Sequence, residues 1–375
     1  MNDRQRLLAI LNHQPPDRIP WIPRLLLWYN ARILTHTMPA QYEGLSLREL
    51  ERALHVGTPA RDGRIFTVRR EGVEVVQYWK EGKQFTEYRT PVGTVRTAMH
   101  FAADLDAQGL PGRVEEFPLK GPADYRVWEW IIEHTYWDPA YDDYRAYDAE
   151  IGDDGLPMVA VGDVPFHEFL LDLAGYDDAF YQLADHRREI EHLLGVMTEV
   201  QRERLWPVIL HSPARLLLHG VHLSSQFTPP PLFEKYILPY YAEFMPLVHA
   251  AGKAVAMHAD NDTSQILELI ERAGWDMVEC FITAPMVPVT LERAREVWGN
   301  RVIIWGGIPS LLLSPSVPES EFREYMDKLF RTIAPGDAFI LGVADNVMPD
   351  SLIERVALVS EMVEERGWYP IQAEG

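Results

Sequence analysis

The chain has 375 residues, with 35 basic and 56 acidic side chains and a formal net charge of −21. This charge argues against nucleic acid and anionic membranes as partners, because both would repel an acidic protein. A single cysteine excludes an internal disulfide and suits a reducing compartment. No apolar run reaches the roughly 18 residues that a membrane helix needs. We therefore expect a cytoplasmic protein that acts on a small-molecule substrate.

The first half of the chain predicts two features. Residues 3–13 have apolar side chains at Leu7, Leu8 and Leu11, which predicts a short amphipathic helix. From about 64 to 102, β-branched and aromatic runs alternate with EGV, EGK and PVG, which predicts an inserted antiparallel β-hairpin region. No linker or internal repeat interrupts the sequence, so we expect one domain over residues 1–375.

The second half contains short apolar runs that each end on a polar residue or glycine: VAVGD, RLLLH, AVAMHAD, DMVEC, VIIWGG and FILGVAD. Most of them are separated by stretches with helical periodicity. Parallel strands need a crossover, and a helix supplies it, so this alternation predicts a parallel α/β sheet. We expect a (β/α)8 TIM barrel with an N-terminal helix and the hairpin insertion. Such a barrel carries its site at the carboxyl ends of the strands.

Polar side chains at these strand ends are candidate catalytic groups. They are His258, Asp260, Glu279, His219 and Asp163. A neutral imidazole such as that of His258 can bind a metal or carry a proton, although a buried core histidine is the alternative. Asp262, shortly after His258, is predicted to cap a helix that begins near Thr263.

Four residues offer the nitrogen, oxygen and sulfur ligands that zinc prefers: His258, Glu279, Cys280 and Asp345. Because side chains alternate along a strand, only one of the adjacent Glu279 and Cys280 is expected to point into the site. A lone cysteine can equally be a small buried apolar residue. Asp345 has a second interpretation too, as the cap of the following helix.

Further residues are candidates for binding. Gly306 and Gly307 would let a ligand approach the backbone closely, or would simply form a tight turn. Phe166 and His167 follow Asp163 and are candidate pocket residues, as is His222. His219 and His222 lie three apart on an extended segment and should face opposite ways, so we expect one functional histidine there. No dinucleotide-binding, P-loop or serine-hydrolase motif is present in the sequence.

Several segments resemble the uroporphyrinogen decarboxylase superfamily. They are RQRLLAILNHQPPDRIP, PPPLFEKYILPYYAEFMPLVHAAGKAVAMHADND, ELIERAGWDMVECF and WGGIPS, in that order. The resemblance implies a (β/α)8 barrel. Decarboxylases of this superfamily carry an arginine-rich loop after the first strand and a histidine near a late strand end. Here the corresponding stretches read PRLLLWYNAR, with only Arg24 and Arg32, and GVADNVMP, without histidine.

The resemblance is closer to the zinc-dependent methyltransferase branch, whose thiol-activating members use His-x-Cys and a distant cysteine. This chain has His258-x-Asp260, and Asp345 near the place of the second cysteine. The oxygen-rich set implies transfer of a methyl group from a small O-methyl substrate to a corrinoid carrier on a partner protein. One alternative is a cofactor-free decarboxylase in which Arg24 or Arg32 binds a carboxylate. Another is a non-catalytic binding protein. The oligomeric state is left open, with a homodimer as one option.

Overall fold

The computed structural model of the chain describes residues 1–106, 109–110 and 112–373. Contacts group the chain into two compact units. The first unit comprises Met1–Gly63, Tyr144–Ala160 and Ala214–Gly375, and the second comprises Arg64–Asp143 and Val161–Pro213. Our interpretation of residues 1–375 as one domain stays a prediction.

The regular elements follow in chain order. The strands are β1 (Phe66–Arg70), β2 (Glu74–Lys80), β3 (Lys83–Thr90), β4 (Gly93–His100), β5 (Arg113–Glu116), β6 (Thr135–Pro139), β7 (Met158–Ala160), β8 (Leu216–Val221), β9 (Ala254–His258), β10 (Met277–Phe281), β11 (Ile303–Pro309) and β12 (Phe339–Ala344). The α-helices are α1 (Asp3–Leu11), α2 (Leu26–Leu34), α3 (Leu47–Ala53), α4 (Ala103–Asp106), α5 (Pro122–Glu133), α6 (Tyr141–Ile151), α7 (Pro165–Glu168), α8 (Tyr176–Asp185), α9 (Arg187–Val200), α10 (Trp206–His211), α11 (Pro230–Leu232), α12 (Leu238–Ala250), α13 (Leu267–Ala273), α14 (Leu291–Trp298), α15 (Glu319–Ile333) and α16 (Ile353–Arg366).

The first unit is built on a six-stranded sheet in the order β12-β11-β10-β9-β8-β7, and every pairing in it is parallel. Helices α12, α13, α14 and α15 connect successive strands. The predicted α/β fold with a parallel sheet is therefore confirmed. Strands in such a sheet are covered on both faces, which explains why β10, β11 and β12 are buried along their whole length.

Two short extended segments continue this sheet beyond its edge strands. Ile22 N donates to Leu341 O of β12 at 2.9 Å, and Gly57 N donates to Trp21 O at 3.0 Å. Met158 N of β7 then donates to Ala60 O at 3.0 Å. With these two segments the arrangement of the first unit is TIM-barrel-like, and both segments bring polar side chains to the same end as the strands.

One side of the sheet holds an apolar cluster from alternate strand positions, including Leu216, Ala256, Met277, Ile303 and Ile340. In the same cluster, α1 contributes Leu7 and Ile10, which were two residues of the predicted amphipathic helix region. Burial of these side chains supplies most of the stabilising free energy of such a layer. The carboxyl ends of the strands are left for polar groups.

The second unit contains an antiparallel sheet in the order β2-β3-β4-β5 and a separate antiparallel pair, β1 and β6. The predicted antiparallel insertion between 64 and 102 is confirmed by these strands. Within the described part of the chain, no helix has the length and apolar character to span a bilayer.

The helix that follows β9 starts later than predicted. It begins at Leu267, so the prediction of a helix from Thr263 with Asp262 as its cap was wrong. The Asp262 carboxylate instead accepts hydrogen bonds from Ser264 N at 2.9 Å and Ser264 Oγ at 3.0 Å. This bond two residues ahead makes a local turn that competes with helix formation.

Candidate functional site

A buried ion pair lies at the carboxyl ends of two neighbouring strands of the first unit. His258 ends β9, Glu279 lies in β10, and the two residues are register partners in the sheet. His258 Nδ1 contacts Glu279 Oε2 at 2.6 Å. His258 is 3% exposed and Glu279 is 1% exposed. Carboxylates rarely lie so deep unless their charge is compensated, so the surroundings of Glu279 must supply positive charge.

Arg61 supplies that charge from the extended segment next to β7. Its Nη1 donates to Glu279 Oε1 at 3.0 Å and to Oε2 at 3.3 Å. Burial alone would raise the pKa of Glu279, but His258 and Arg61 favour its carboxylate and lower the pKa to about 2. Glu279 is therefore an anion at neutral pH. It fixes the orientation of the His258 ring through Nδ1.

The other ring nitrogen of His258 faces two more carboxylates. His258 Nε2 lies 3.6 Å from Asp260 Oδ2 and 3.7 Å from Asp345 Oδ1. Burial disfavours the imidazolium, yet the negative charge of Glu279 outweighs this effect and raises the pKa of His258 well above its ordinary value. The ring thus has one carboxylate behind Nδ1 and two in front of Nε2.

Both front carboxylates are held in place by neighbours. His222 Nδ1 contacts Asp260 Oδ1 at 2.7 Å, and Asn261 Nδ2 donates to the same oxygen at 3.1 Å. Burial would raise the pKa of Asp260, but His222 and His258 lower it well below its usual range. On the other side, Arg24 Nη1 donates to Asp345 Oδ1 at 2.9 Å.

Asn346 Nδ2 donates to the same Asp345 oxygen at 2.9 Å. Asp345 and Asn346 follow β12, which places them at the same end of the sheet as His258. The amide gives this oxygen a second donor beside the Arg24 guanidinium. Asp345 therefore has a fixed orientation towards the histidine, as a ligand or an acid–base group would need.

Cys280 points towards the same cluster as Glu279, so the expectation that only one of the pair would do so was wrong. Cys280 Sγ lies 3.0 Å from Glu279 Oε1 and 3.3 Å from Asp345 O. The reason is local: Cys280 has a φ of +55°, and the pairing register of β10 with β11 shifts between Glu279 and Phe281. A bulge of this kind breaks the side-chain alternation of a strand.

Three residues of the cluster share this left-handed backbone conformation. His222, Cys280 and Asp345 have φ values of +60°, +55° and +63°. A residue other than glycine pays of order 1 kcal/mol or more for this conformation, and such residues concentrate at functional sites. Ligand atoms within 4.8 Å of one another form two groups that suit a metal ion, one of His222, His258 and Asp260 and one of His258, Glu279 and Cys280.

The family model for uroporphyrinogen decarboxylase (URO-D) matches residues 169–366, which is more than half of the chain. The chain belongs to the uroporphyrinogen decarboxylase family. Among solved structures, a methyltransferase from Methanosarcina mazei is similar over 97% of this chain and 99% of that one, with a TM-score of 0.57 and 16% sequence identity. At that identity the likeness shows a shared fold. No curated protein matches the chain.

The URO-D match contains part of the site and omits the rest. His258, Asp260, Glu279, Cys280 and Asp345 lie inside the matched residues. The two guanidinium groups, of Arg24 and Arg61, lie before them. The structural likeness covers nearly the whole chain, so these earlier residues belong to the shared fold as well.

His219 lies away from the cluster, inside β8. Its Nδ1 contacts the hydroxyl of Tyr241 at 2.7 Å, and its ring stacks on Tyr240 with centroids 5.5 Å apart. His219 and His222 therefore have different surroundings, as their spacing predicted, and only His222 reaches the cluster.

The two glycines proposed to approach a ligand pack closely against the protein itself. A Cβ atom on Gly306 would lie 2.7 Å from Phe281 O, and one on Gly307 would lie 2.9 Å from the Phe339 ring. Both glycines lie within the buried strand β11. Close strand packing is thus sufficient to explain why these positions lack a side chain.

The remaining candidates divide between the two units. The second unit contains Asp163, Phe166 and His167. Asp163 Oδ1 accepts a hydrogen bond from Val164 N at 2.7 Å. Phe166 and His167 are buried at the start of α7. Arg24 is in the cluster. Arg32 donates instead to Pro349 O at 2.9 Å and lies over the Trp28 ring.

Sequence reasoning missed Arg61, Asn261 and Asn346. Both asparagines directly follow a predicted site aspartate, so their adjacency was an available signal. Arg61 lies in the stretch VGTPARDG, whose proline and glycines do not predict a strand. An eight-stranded barrel needs two strands in addition to the six of the parallel sheet. A search for these two strands before β7 could have pointed to this stretch.

Proposed function

We propose that this protein is a metal-dependent methyltransferase that removes the methyl group of a small O-methyl substrate and passes it to a corrinoid carrier on a partner protein. The observation that carries this proposal is the arrangement of two carboxylates in front of His258 Nε2. Family membership and the methyltransferase-like fold support it from a second direction.

The chemistry of the donor set fits zinc. Ligand atoms about 2.1 Å from a tetrahedral zinc ion are about 3.4 Å apart. The separations of His258 Nε2 from Asp260 Oδ2 and Asp345 Oδ1 are 3.6 and 3.7 Å. A metal-binding histidine commonly has a carboxylate behind its other nitrogen, and Glu279 has this position.

The charge balance also fits a divalent cation. The carboxylates of Asp260, Glu279 and Asp345 face two guanidinium groups, those of Arg24 and Arg61. The excess of one negative charge is balanced by a proton on His258 in the metal-free cluster, and a divalent cation that replaces this proton would balance it instead. We assign His222, His258 and Asp260, whose ligand atoms lie within 4.8 Å of one another, as the residues that would hold it, with Asp345 as a further carboxylate 3.7 Å from His258 Nε2.

Bound there, zinc would act as a Lewis acid towards the ether oxygen of the substrate. The chain itself performs the positioning. Once the Nε2 proton is lost, Glu279 would keep the other proton on Nδ1 by accepting its hydrogen bond, which leaves the lone pair of Nε2 free to act as a ligand. Arg24 and Arg61 each hold a carboxylate of the cluster with one nitrogen and line an open cavity of about 200 Å³, which has room for a ligand as small as a simple aromatic ether.

The test is metal analysis combined with methyl transfer from guaiacol to cob(I)alamin. We expect about one zinc per chain, loss of transfer on chelation, and recovery on adding zinc. Asp260→Ala should lose both metal and transfer. Asp262→Asn, two residues further along the same loop, is the matched control and should keep both. A protein that transfers methyl groups at full rate without metal would contradict the proposal.

A second candidate function is a cofactor-free decarboxylase. The observation that favours it is the presence of Arg24 and Arg61 in one cavity, because paired guanidinium groups bind carboxylates well. The discriminating measurement is release of carbon dioxide from uroporphyrinogen under anaerobic conditions in the presence of a chelator. Consumption of that substrate without metal would favour the decarboxylase, and no consumption would remove it.

A further inference from the structure

The cavity beside the cluster contains a carboxyl group that the site described above does not use. Its lining includes Arg24, Arg61, Thr58, Glu51 and Tyr147. Arg24 and Arg61 also contact Asp345 and Glu279 of the cluster. A ligand in this cavity would therefore lie against the same guanidinium groups that hold the cluster together.

Glu51 enters this cavity from α3 and is almost completely buried, with 1% of its surface exposed. Thr58 Oγ1 donates to Glu51 Oε2 at 2.6 Å. Within the described residues, no arginine, lysine or histidine forms an ion pair with it. Arg48, one turn earlier on α3, gives its Nη2 to Asp154 Oδ2 at 2.8 Å and to the carbonyls of Glu150 and Ile151.

These surroundings favour the neutral acid. Burial raises the pKa of Glu51 to about 7, and the negative charges of Asp154 and Asp62 act in the same direction. The hydrogen bond from Thr58 and the charge of Arg48 favour the carboxylate, but they do not outweigh burial. A protonated carboxyl group offers an O–H donor, which glutamine at the same position would replace with a weaker N–H acid. An acid whose pKa is near the working pH suits proton transfer.

We infer that Glu51 is the proton donor to the substrate oxygen when the methyl group leaves, an inference that rests on the proposed function. The methyl carbon bonds to the cobalt(I) nucleophile of the corrinoid as the carbon–oxygen bond breaks. The electron pair of that bond stays on the oxygen. The Glu51 carboxyl proton moves to this oxygen to give the alcohol or phenol. Glu51 is left as a carboxylate and regains its proton from water.

The first experiment compares two aryl methyl ethers in the zinc-loaded protein with cob(I)alamin as acceptor. Guaiacol has a weakly acidic phenol as its leaving group and needs the proton, whereas 4-nitroanisole has a stable phenolate and needs it little. We expect Glu51→Gln to lower kcat at least 100-fold with guaiacol and less than 10-fold with 4-nitroanisole. Glu49→Gln, an exposed position on the same helix, should change neither, because glutamine preserves its capping role.

An equal loss with both ethers would overturn the inference, because a structural role does not depend on the leaving group. Transfer from neither ether by the unmodified protein would instead refute the proposed function. Glu51→Gln keeps an oxygen acceptor for Thr58, so it should fold, and its affinity for guaiacol should stay within threefold.

The second experiment observes the proton without catalysis. The infrared difference between the unmodified protein and Glu51→Gln should contain the band of a protonated carboxyl group at pH 6. That band should be lost by pH 8 as the carboxylate forms. A difference spectrum with only carboxylate bands at pH 6 would overturn the inference, whatever the kinetics.

Discussion

Two buried histidines of the same sheet, His219 and His258, have opposite surroundings. His219 lies among Tyr240, Tyr241 and Phe244, and burial there lowers its pKa to about 3. His258 lies among carboxylates that raise its pKa despite equal burial. Burial alone keeps an imidazole neutral and inert. The side chains brought from neighbouring elements decide whether a strand-end histidine is structural or chemical.

Replacing each of the two histidines separately with an inert side chain should give the largest difference, and that difference is in zinc affinity. Structural zinc contributes about 10–16 kcal/mol over about four ligands, so His258→Ala should weaken zinc binding at least about 100-fold. The melting temperature should change little, because Glu279 keeps its pairing with Arg61. His219→Phe should keep full zinc affinity. We would measure zinc affinity by competition with a chromophoric chelator. Full metal occupancy in a destabilised His258→Ala protein would show that His258 is the structural histidine.

The second prediction concerns the response of His219 to acid. Its pKa is about 3 in the folded protein and 6.5 ordinarily, so between these values the unfolded chain binds a proton that the native protein does not. Stability from this residue is complete above pH 6.5 and is lost as the pH falls. At pH 4 the loss is about 3 kcal/mol, from about 1.4 kcal/mol per pH unit.

Urea unfolding of the unmodified protein and His219→Phe at pH 7 and pH 4 checks this prediction. The variant lacks the titrating group, so it should lose about 3 kcal/mol less than the unmodified protein on acidification. At pH 7 it should be less stable by about 1 kcal/mol, because Tyr241 loses its hydrogen-bond partner. Parallel acid sensitivity of the two proteins would mean that His219 is not the neutral buried group we describe.

Removing the carboxylate behind His258 should make its surroundings more like those of His219. Glu279→Gln leaves the shape unchanged but removes the anion that fixes the ring through Nδ1. Loss of such a supporting carboxylate lowers metal affinity about 10–100-fold. Glu268→Gln is the matched control on exposed α13 surface, and it should bind zinc normally. An affinity loss as large as that of His258→Ala would indicate that Glu279 itself is a ligand.

The βα alternation and the polar strand ends could be predicted from the sequence, because buried parallel strands leave a clear pattern of apolar runs. His258 and Glu279 were predictable as neighbours for the same reason: successive strands of this sheet pair in parallel. The two segments RLLLH and AVAMH look alike, so the structural role of His219 and the site role of His258 could not be told apart from them. The aromatic side chains around His219 come from α12, about twenty residues later in the sequence.

Two other features of the site depended on information that local sequence does not hold. Arg61 reaches Glu279 from 218 positions away, so only the folded chain brings them together. The left-handed conformation of Cys280 arises at the shift in strand register. No propensity of cysteine predicts that conformation, since asparagine, aspartate and glycine are the residues that favour it.

The smallest expected effect concerns Cys280, the remaining neighbour of His258, and it decides which side of the ring holds the metal. Burial, and then the charge of Glu279, raise the pKa of the Cys280 thiol, so the thiol keeps its proton at neutral pH and points at Glu279 Oε1 and Asp345 O. A zinc ligand must be the thiolate. We therefore expect Cys280→Ala to change zinc affinity less than threefold, measured as for His258→Ala. A fall of 100-fold or more would move the metal to the side of Glu279 and Cys280. His258 would then bind it through Nδ1, with Asp260 and Asp345 left to orient the ring.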